Sequence, residues 1–413
     1  MRTSALTQQS SDPLMQSVES TPFPQRLGQL VWSYVDVFLG EQGSRLTGGP
    51  IDAKWQQWVP MVLQSDILFH AQAFLALVHF KPWRQEPWNQ ERLVLKARTI
   101  ERINGRLTNP IIAVDDESIG AVLMMATVAH TENANSFNPH IQGLGKMVSL
   151  RGGLRALREE GFYLSDWICI IDYVGSIIYH TSLAIATPEV AGIPSIQQNL
   201  SIDCMCSPLL GRDGLMVKGP SYIGLGKDTQ TLLDDMHSLT IMFEQMPLYS
   251  SLQSSTSVIE CVQIERRLRF LPSADVPSAF FMNLRMYDHL YESTRLASLI
   301  FFRALYYNQP FASPDNFDTL QRLRVSIEKT ILGGWDHFAG ILIWVLLVGT
   351  AAERESAELT FAEHLSKTCC AIGGRGAEDL KITLQKFIDV ESLVEAKAAQ
   401  ISEGQQIGWG ERG

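Results

Sequence analysis

The sequence predicts an all-α protein: a single large multi-helical domain with a loop-rich excursion near residues 188–227. Three observations carry that prediction. Apolar residues recur at helical spacing in one segment after another. No sustained apolar/polar alternation bounded by hairpin turns appears, and no strand–helix–strand rhythm. Of the 413 residues, 46% are apolar and only 19% charged. An average soluble domain is roughly 25% charged. That much apolar material can bury a large core, which excludes disorder as the main state.

Residues 1–24 are rich in Ser, Thr, Gln and Pro and read as a flexible N-terminal tail without the apolar core of a secretory signal. The domain is placed at 25–400. It opens with Leu27, Leu30, Val31, Tyr34, Val35 and Phe38, which form one stripe on a helix. A loop rich in glycine follows at 41–50. Pro60, taken as a first-turn residue, opens a long apolar helix to about Lys81, and Lys81-Pro82-Trp83 through Trp88 breaks it. Glu91 to Leu107 reads as an amphipathic helix. Asp115-Asp116-Glu117 then places carboxylates where a helix N-terminus favours them, ahead of a buried helix. Asn138 and Pro139 read as a cap and a first helical residue, starting a helix at His140.

Ser165-Asp166 start a strongly apolar helix expected to reach about Ala186. The excursion at 188–227 has the least periodicity in the chain. Helical patterns resume at 228–246, 257–270, 282–308, 315–332, 338–352, 354–370 and 377–399, and 401–413 reads as a frayed C-terminal tail. The most apolar run, Phe338 to Val348, falls short of the about 20 residues a membrane span needs, so it reads as a buried central helix. No regular repeat of about 30 to 45 residues is present, which excludes a tidy solenoid.

Net charge is −10, from 34 basic and 44 acidic residues. That balance argues against a surface that wraps nucleic acid, which needs clustered Lys and Arg. The six cysteines include Cys204-Met-Cys206 and the adjacent Cys369-Cys370, neither a usual disulfide spacing, which points to a reduced, intracellular setting. Cys204 and Cys206 could offer two thiolates to a metal, but no second Cys/His pair lies nearby.

Catalytic motifs are absent. Two GLGK stretches, at 143–146 and 224–227, lack the distant glycine and the following Ser or Thr of a phosphate loop. There is no HExxH and no GxSxG, and the nine histidines are scattered without metal-ligand spacing. Asp115 and Asp116 read as helix caps rather than acid/base groups. Asp172, inside an apolar helix, must be buried and therefore needs a partner; Arg151 or His140 could serve, as an ion pair or a ligand anchor. His140, Arg151, Trp167 and Asp172 are thus the candidate pocket or buried polar residues. No catalytic residue, metal ligand or cofactor is assigned.

One passage is far more specific. From His140 through Gly143, Leu144, Met147, Val148, Arg151, Gly152 and Gly153 to Leu154 and Leu157, a helix ends on two glycines and a short helix folds back. This closely resembles the signature helix of the fungal-specific transcription factor domain, the middle homology region of fungal Zn2Cys6 regulators. The acidic start at Asp115, the helix from Asp166, the apolar run Ile343 to Gly349 and the helix at Phe361 follow in the family's order, so the resemblance spans about 55–395. The family's N-terminal zinc cluster is not seen, since no cysteine precedes Cys169 and no basic cluster occupies the first 50 residues.

The resemblance implies a non-enzymatic transcriptional regulator, nuclear and in part cytoplasmic, associated with control of a secondary-metabolite gene cluster. It would act through a protein partner, either a DNA-binding regulator or a second copy of itself, or by sensing a small-molecule effector. Direct DNA binding is not carried over, and no membrane role is implied. The alternative is a helical scaffold turned to metabolite chemistry, suggested by an interior holding Trp83, Trp88, Trp167, Trp335 and Trp344. A third reading, a bare dimerisation partner, would use the stripe at 27–38.

Overall fold

The computed structural model describes residues 23–47, 53–80, 89–159, 164–186, 205–210, 225–245, 255–273, 285–330, 335–354, 359–373 and 376–410. The expected tail at 1–24 and most of the excursion at 188–227 lie outside them. Among the described residues the fold is all-α, with no β-strand and one isolated antiparallel bridge between Ser207 and Leu210.

The helices are α1 (Phe23–Trp32), continuing through a π-helical stretch at Ser33–Gln42 into α2 (Gly43–Thr47), then α3 (Ala53–Gln64), α4 (Asp66–Phe80), α5 (Asn89–Leu107), α6 (Asp116–Ala129), α7 (Ala134–Leu150), α8 (Gly153–Glu159) and α9 (Leu164–Tyr179). The second half holds α10 (Lys227–Gln245), α11 (Ser255–Phe270), α12 (Arg285–Tyr306), α13 (Phe317–Thr330), α14 (Ala339–Ala352), α15 (Thr360–Ile372) and α16 (Ala377–Gly410). Helices α4, α5, α6 and α7 pack as one group and α10, α12 and α13 as another. Between them, α14 packs against α9, α12, α13 and α15, while α9 also lies along α16.

Helix α14 is buried along its whole length, because its sequence AGILIWVLLVGTAA offers no polar face to solvent. Trp344 meets Phe301 of α12 edge to face, with ring centroids 5.5 Å apart. Among the described residues no single helix is long and apolar enough to cross a membrane.

Several boundaries differ from the sequence reading; the loop expected at 41–50, for one, is helical as far as Thr47. Pro60 lies inside α3, and the expected helix from Pro60 to Lys81 is two helices meeting at 110° around Ser65. Ser65 caps α4, its hydroxyl accepting the Leu68 N–H at 3.5 Å. Pro139 likewise sits within α7, which begins earlier: Asn133 is the cap, accepting the Ser136 N–H at 2.9 Å. Helix α9 stops at Tyr179, well before Ala186, and His180 takes a left-handed φ of 51°. At the other end, α16 runs on past Ala399 to Gly410.

The described part of the excursion is not a surface loop. Met205, Cys206, Ser207 and Leu209 are all buried, and His237 of α10 donates from Nδ1 to the Pro208 carbonyl at 3.1 Å. The backbone of Met205 and Cys206 rests on Gly340 of α14, so closely that a Cβ there would run into the Met205 carbonyl. Gly143, by contrast, has open space where its side chain would be. Gly340→Ala is therefore expected to destabilise the protein by about 2–3 kcal/mol through forced backbone displacement. Gly143→Ala should be neutral or stabilising by up to about 1 kcal/mol through helix propensity. Urea unfolding of the two variants checks the contrast.

Candidate functional site

The signature turn is built around the start of α6. Asp115 is the N-cap of α6, its carboxylate accepting the Ser118 N–H at 2.9 Å, and Arg106 from the end of α5 pairs with it. Arg106 also donates to Ser118 Oγ at 2.8 Å and lies 3.3 Å from Glu117, to which Ser65 donates at 2.8 Å. Three carboxylates thus gather at a helix N-terminus, where the dipole favours them.

Arg151 reaches the same cluster from the end of α7. It donates to the Val114 carbonyl at 2.7 Å and to Asp116 at 3.2 Å. Gly152 (φ 102°) and Gly153 (φ 88°) then reverse the chain through a region L side chains rarely adopt. That reversal lets α8 fold back with Leu154 and Leu157 buried. The Arg-Gly-Gly step is therefore a joint that fixes α7 and α8 against the start of α6.

Asp172 is 2% exposed, as its place in an apolar helix requires. Its partner is neither Arg151 nor His140. The chain after α9 turns back, and the carboxylate accepts three backbone N–H groups, from Ala184 at 3.0 Å, Ile185 at 2.7 Å and Ala186 at 2.7 Å. Burial pushes its pKa above the ordinary carboxylate value, and the three N–H groups pull it back in part. The captured segment lies on α7: a Cβ at Gly145 would sit 3.3 Å from Ile185. Gly145, rather than Gly143, is thus the glycine of the first GLGK stretch with a packing reason.

The remaining candidates occupy separate places. His140 shares α7 with Arg151 but lies three turns away; it is half-buried, near the Lys96–Glu132 pair (2.6 Å), and burial lowers its pKa. Trp167 packs edge to face on Trp58 at 5.6 Å, and Trp58 donates to Gln72 at 3.0 Å. Trp167 and Tyr34 also lie against the Cys370 thiol. The structure therefore brings Arg151 to Asp116, and His140, Trp167 and Asp172 each to partners of their own.

Other buried polar groups escaped the sequence reading. His130 links α6 to α9 and α15, with Nε2 donating to the Ile171 carbonyl at 3.0 Å and Nδ1 placed to accept from Ser366 Oγ at 3.1 Å. Burial drives its pKa down to about 3, so it is neutral at physiological pH. Glu353, which follows α14, is 1% exposed and accepts the Ala362 N–H at 2.8 Å, while the Thr360 and Phe361 N–H groups at the start of α15 also favour its charged form. Desolvation outweighs these N–H groups and Arg324, 3.7 Å away, and pushes its pKa up to about 8. A shallow groove of about 220 Å³ between α12 and α13 carries His289, Glu292, Arg322 and Lys329.

The described cysteines do not form a reactive centre. Cys169, Cys206, Cys261, Cys369 and Cys370 are free thiols and buried. Burial pushes Cys169 and Cys370 up to about 12 and Cys261 to about 11, so these three are not thiolates at neutral pH. Cys204 of the Cys-Met-Cys step lies outside the described residues.

The family model of the fungal specific transcription factor domain matches residues 49–386, and the chain belongs to that family. Searches of curated proteins and of solved structures each returned no match. Membership supports a role in transcription regulation.

Two outcomes follow from this geometry. Arg151→Met should cost about 1–2 kcal/mol, since it strips a guanidinium from the Val114 carbonyl and from Asp116 at a partly exposed site; thermal unfolding measures it. Glu353 has a folded pKa above the ordinary 4.5, so the native state holds the extra proton between pH 4.5 and about 8. Its contribution to stability is therefore greatest below pH 4.5 and declines as pH rises to about 8. Glu353→Gln should gain stability relative to the parent over that interval, and denaturation at a series of pH values would show a constant difference if the idea is wrong.

Proposed function

We propose that this chain is a nuclear transcriptional regulator that works through a partner rather than by reading DNA with its own surface. The observation that carries the reading is the family match over residues 49–386, on a chain with net charge −10 and no cysteine before Cys169 in its given sequence. A Zn2Cys6 reader needs closely spaced cysteines and a basic helix. The DNA contact would then come from another regulator or from another polypeptide segment, and this domain would supply the regulatory contacts. The resemblance to regulators of secondary metabolism makes a metabolite gene cluster the proposed target, and a pathway metabolite the proposed effector. The groove between α12 and α13 is the proposed place for an effector: Lys329 lies at its wall beside Arg322, whose guanidinium is bonded to Glu292 at 2.8 Å.

The interior favours regulation over catalysis. Three of its buried polar groups are held by structural partners: Asp172 by three backbone N–H groups, Glu353 by the Ala362 N–H, and His130 between the Ile171 carbonyl and Ser366. A general acid or base needs a free face toward substrate. Deleting the gene should change the transcripts of a defined gene set, and purifying the tagged chain from cells should recover a DNA-binding regulator or a second copy of the chain. Unchanged transcripts together with an accumulating, unprocessed metabolite would instead establish the biosynthetic reading.

A further inference from the structure

We propose that His180, Glu391 and Glu395 form a binding site for a divalent transition-metal ion of the Zn2+ class, which clamps the end of α9 to α16. One ligand atom from each residue lies within 4.8 Å of the others. Glu391 and Glu395 are one turn apart on α16, so two like charges are stacked on the same face, an arrangement that is unfavourable without a cation.

Arg354 supplies part of that cation. It bonds Glu391, and it donates to Glu395 Oε1 at 3.0 Å; in both glutamates the oxygen it takes is Oε1. The second oxygens face His180 instead: Glu395 Oε2 is 2.8 Å from Nε2 and Glu391 Oε2 is 3.9 Å from Nδ1. Arg354 thus orients the carboxylates in the way outer-sphere groups orient metal ligands. Two carboxylates against one guanidinium leave a charge of −1 for the imidazole or a further cation to meet.

Two more observations point the same way. His180 holds a left-handed φ of 51°, which a non-glycine residue adopts only at a cost of roughly 1–2 kcal/mol. Strain of this kind concentrates at ligand clamps. Exposure is also graded across the group: the Glu391 side chain is 5% exposed, Glu395 35% and His180 45%. The site therefore has a buried anchor and an open outer side where water completes the coordination, as in three-ligand zinc sites. An imidazole with two carboxylates suits zinc and its neighbours better than magnesium or calcium, which take all-oxygen sets.

The experiment is titration of the metal-free full chain with Co2+, read by visible absorption, and with Zn2+, read by calorimetry. The expected result is one ion per chain with micromolar affinity and a raised melting temperature. His180→Gly keeps the left-handed backbone and removes the imidazole. It should therefore melt no lower than the parent without metal, yet bind at least tenfold more weakly. Glu395→Gln should weaken binding similarly. Absence of saturable binding, or binding that both variants leave intact, overturns the proposal.

Discussion

Everything in this fold is arranged around a helix that no solvent can touch. Residues 339–352 are apolar on every side, so α14 must be enclosed by α9, α12, α13 and α15. Residue for residue, such a helix gains much from the hydrophobic effect on folding, because every one of its side chains leaves water. Enclosure also demands close approach at two points where the helix carries glycine. The Met205 backbone lies over Gly340, and the Phe361 ring lies over Gly349.

A helix so enclosed brings its end, and the loops beside it, into a poorly solvated region. There, backbone N–H groups need acceptors that water cannot provide. The protein answers with carboxylates. Glu353 takes the Ala362 N–H in the first turn of α15, and Asp172 takes the turn after α9. Charge inside this protein is used to end and redirect helices. A long-range ion pair also joins Lys381 of α16, 1% exposed, to Asp166 of α9 at 2.9 Å.

The all-α class, the acidic start of α6, the Arg-Gly-Gly reversal and the buried α14 were legible because each is a local pattern. The prolines misled for a local reason too. Pro60 and Pro139 both lie on exposed helix faces, where the carbonyl each leaves unbonded can meet water, so neither marks a helix start. The end of α9 is invisible in the sequence because Leu183, Ala184 and Ile185 continue its apolar character, while a tertiary bond to Asp172 decides where the helix stops. The buried stretch 205–210 rests on α14 through its backbone, and side-chain periodicity holds no record of that. Of the candidate site, the need to pair Asp172 was legible but its partners were not, since backbone N–H groups have no residue identity to read.

The five described thiols carry a consequence of their own. Because they are buried, they are shielded from alkylating reagents and oxidants while the protein is folded. Their distribution is broad: Cys169 on α9, Cys206 beneath α14, Cys261 on α11, and Cys369 and Cys370 on α15. Each can react only when its own neighbourhood opens. The chain thus carries native reporters of local unfolding, and the order in which they become modified would map which parts of the domain open first.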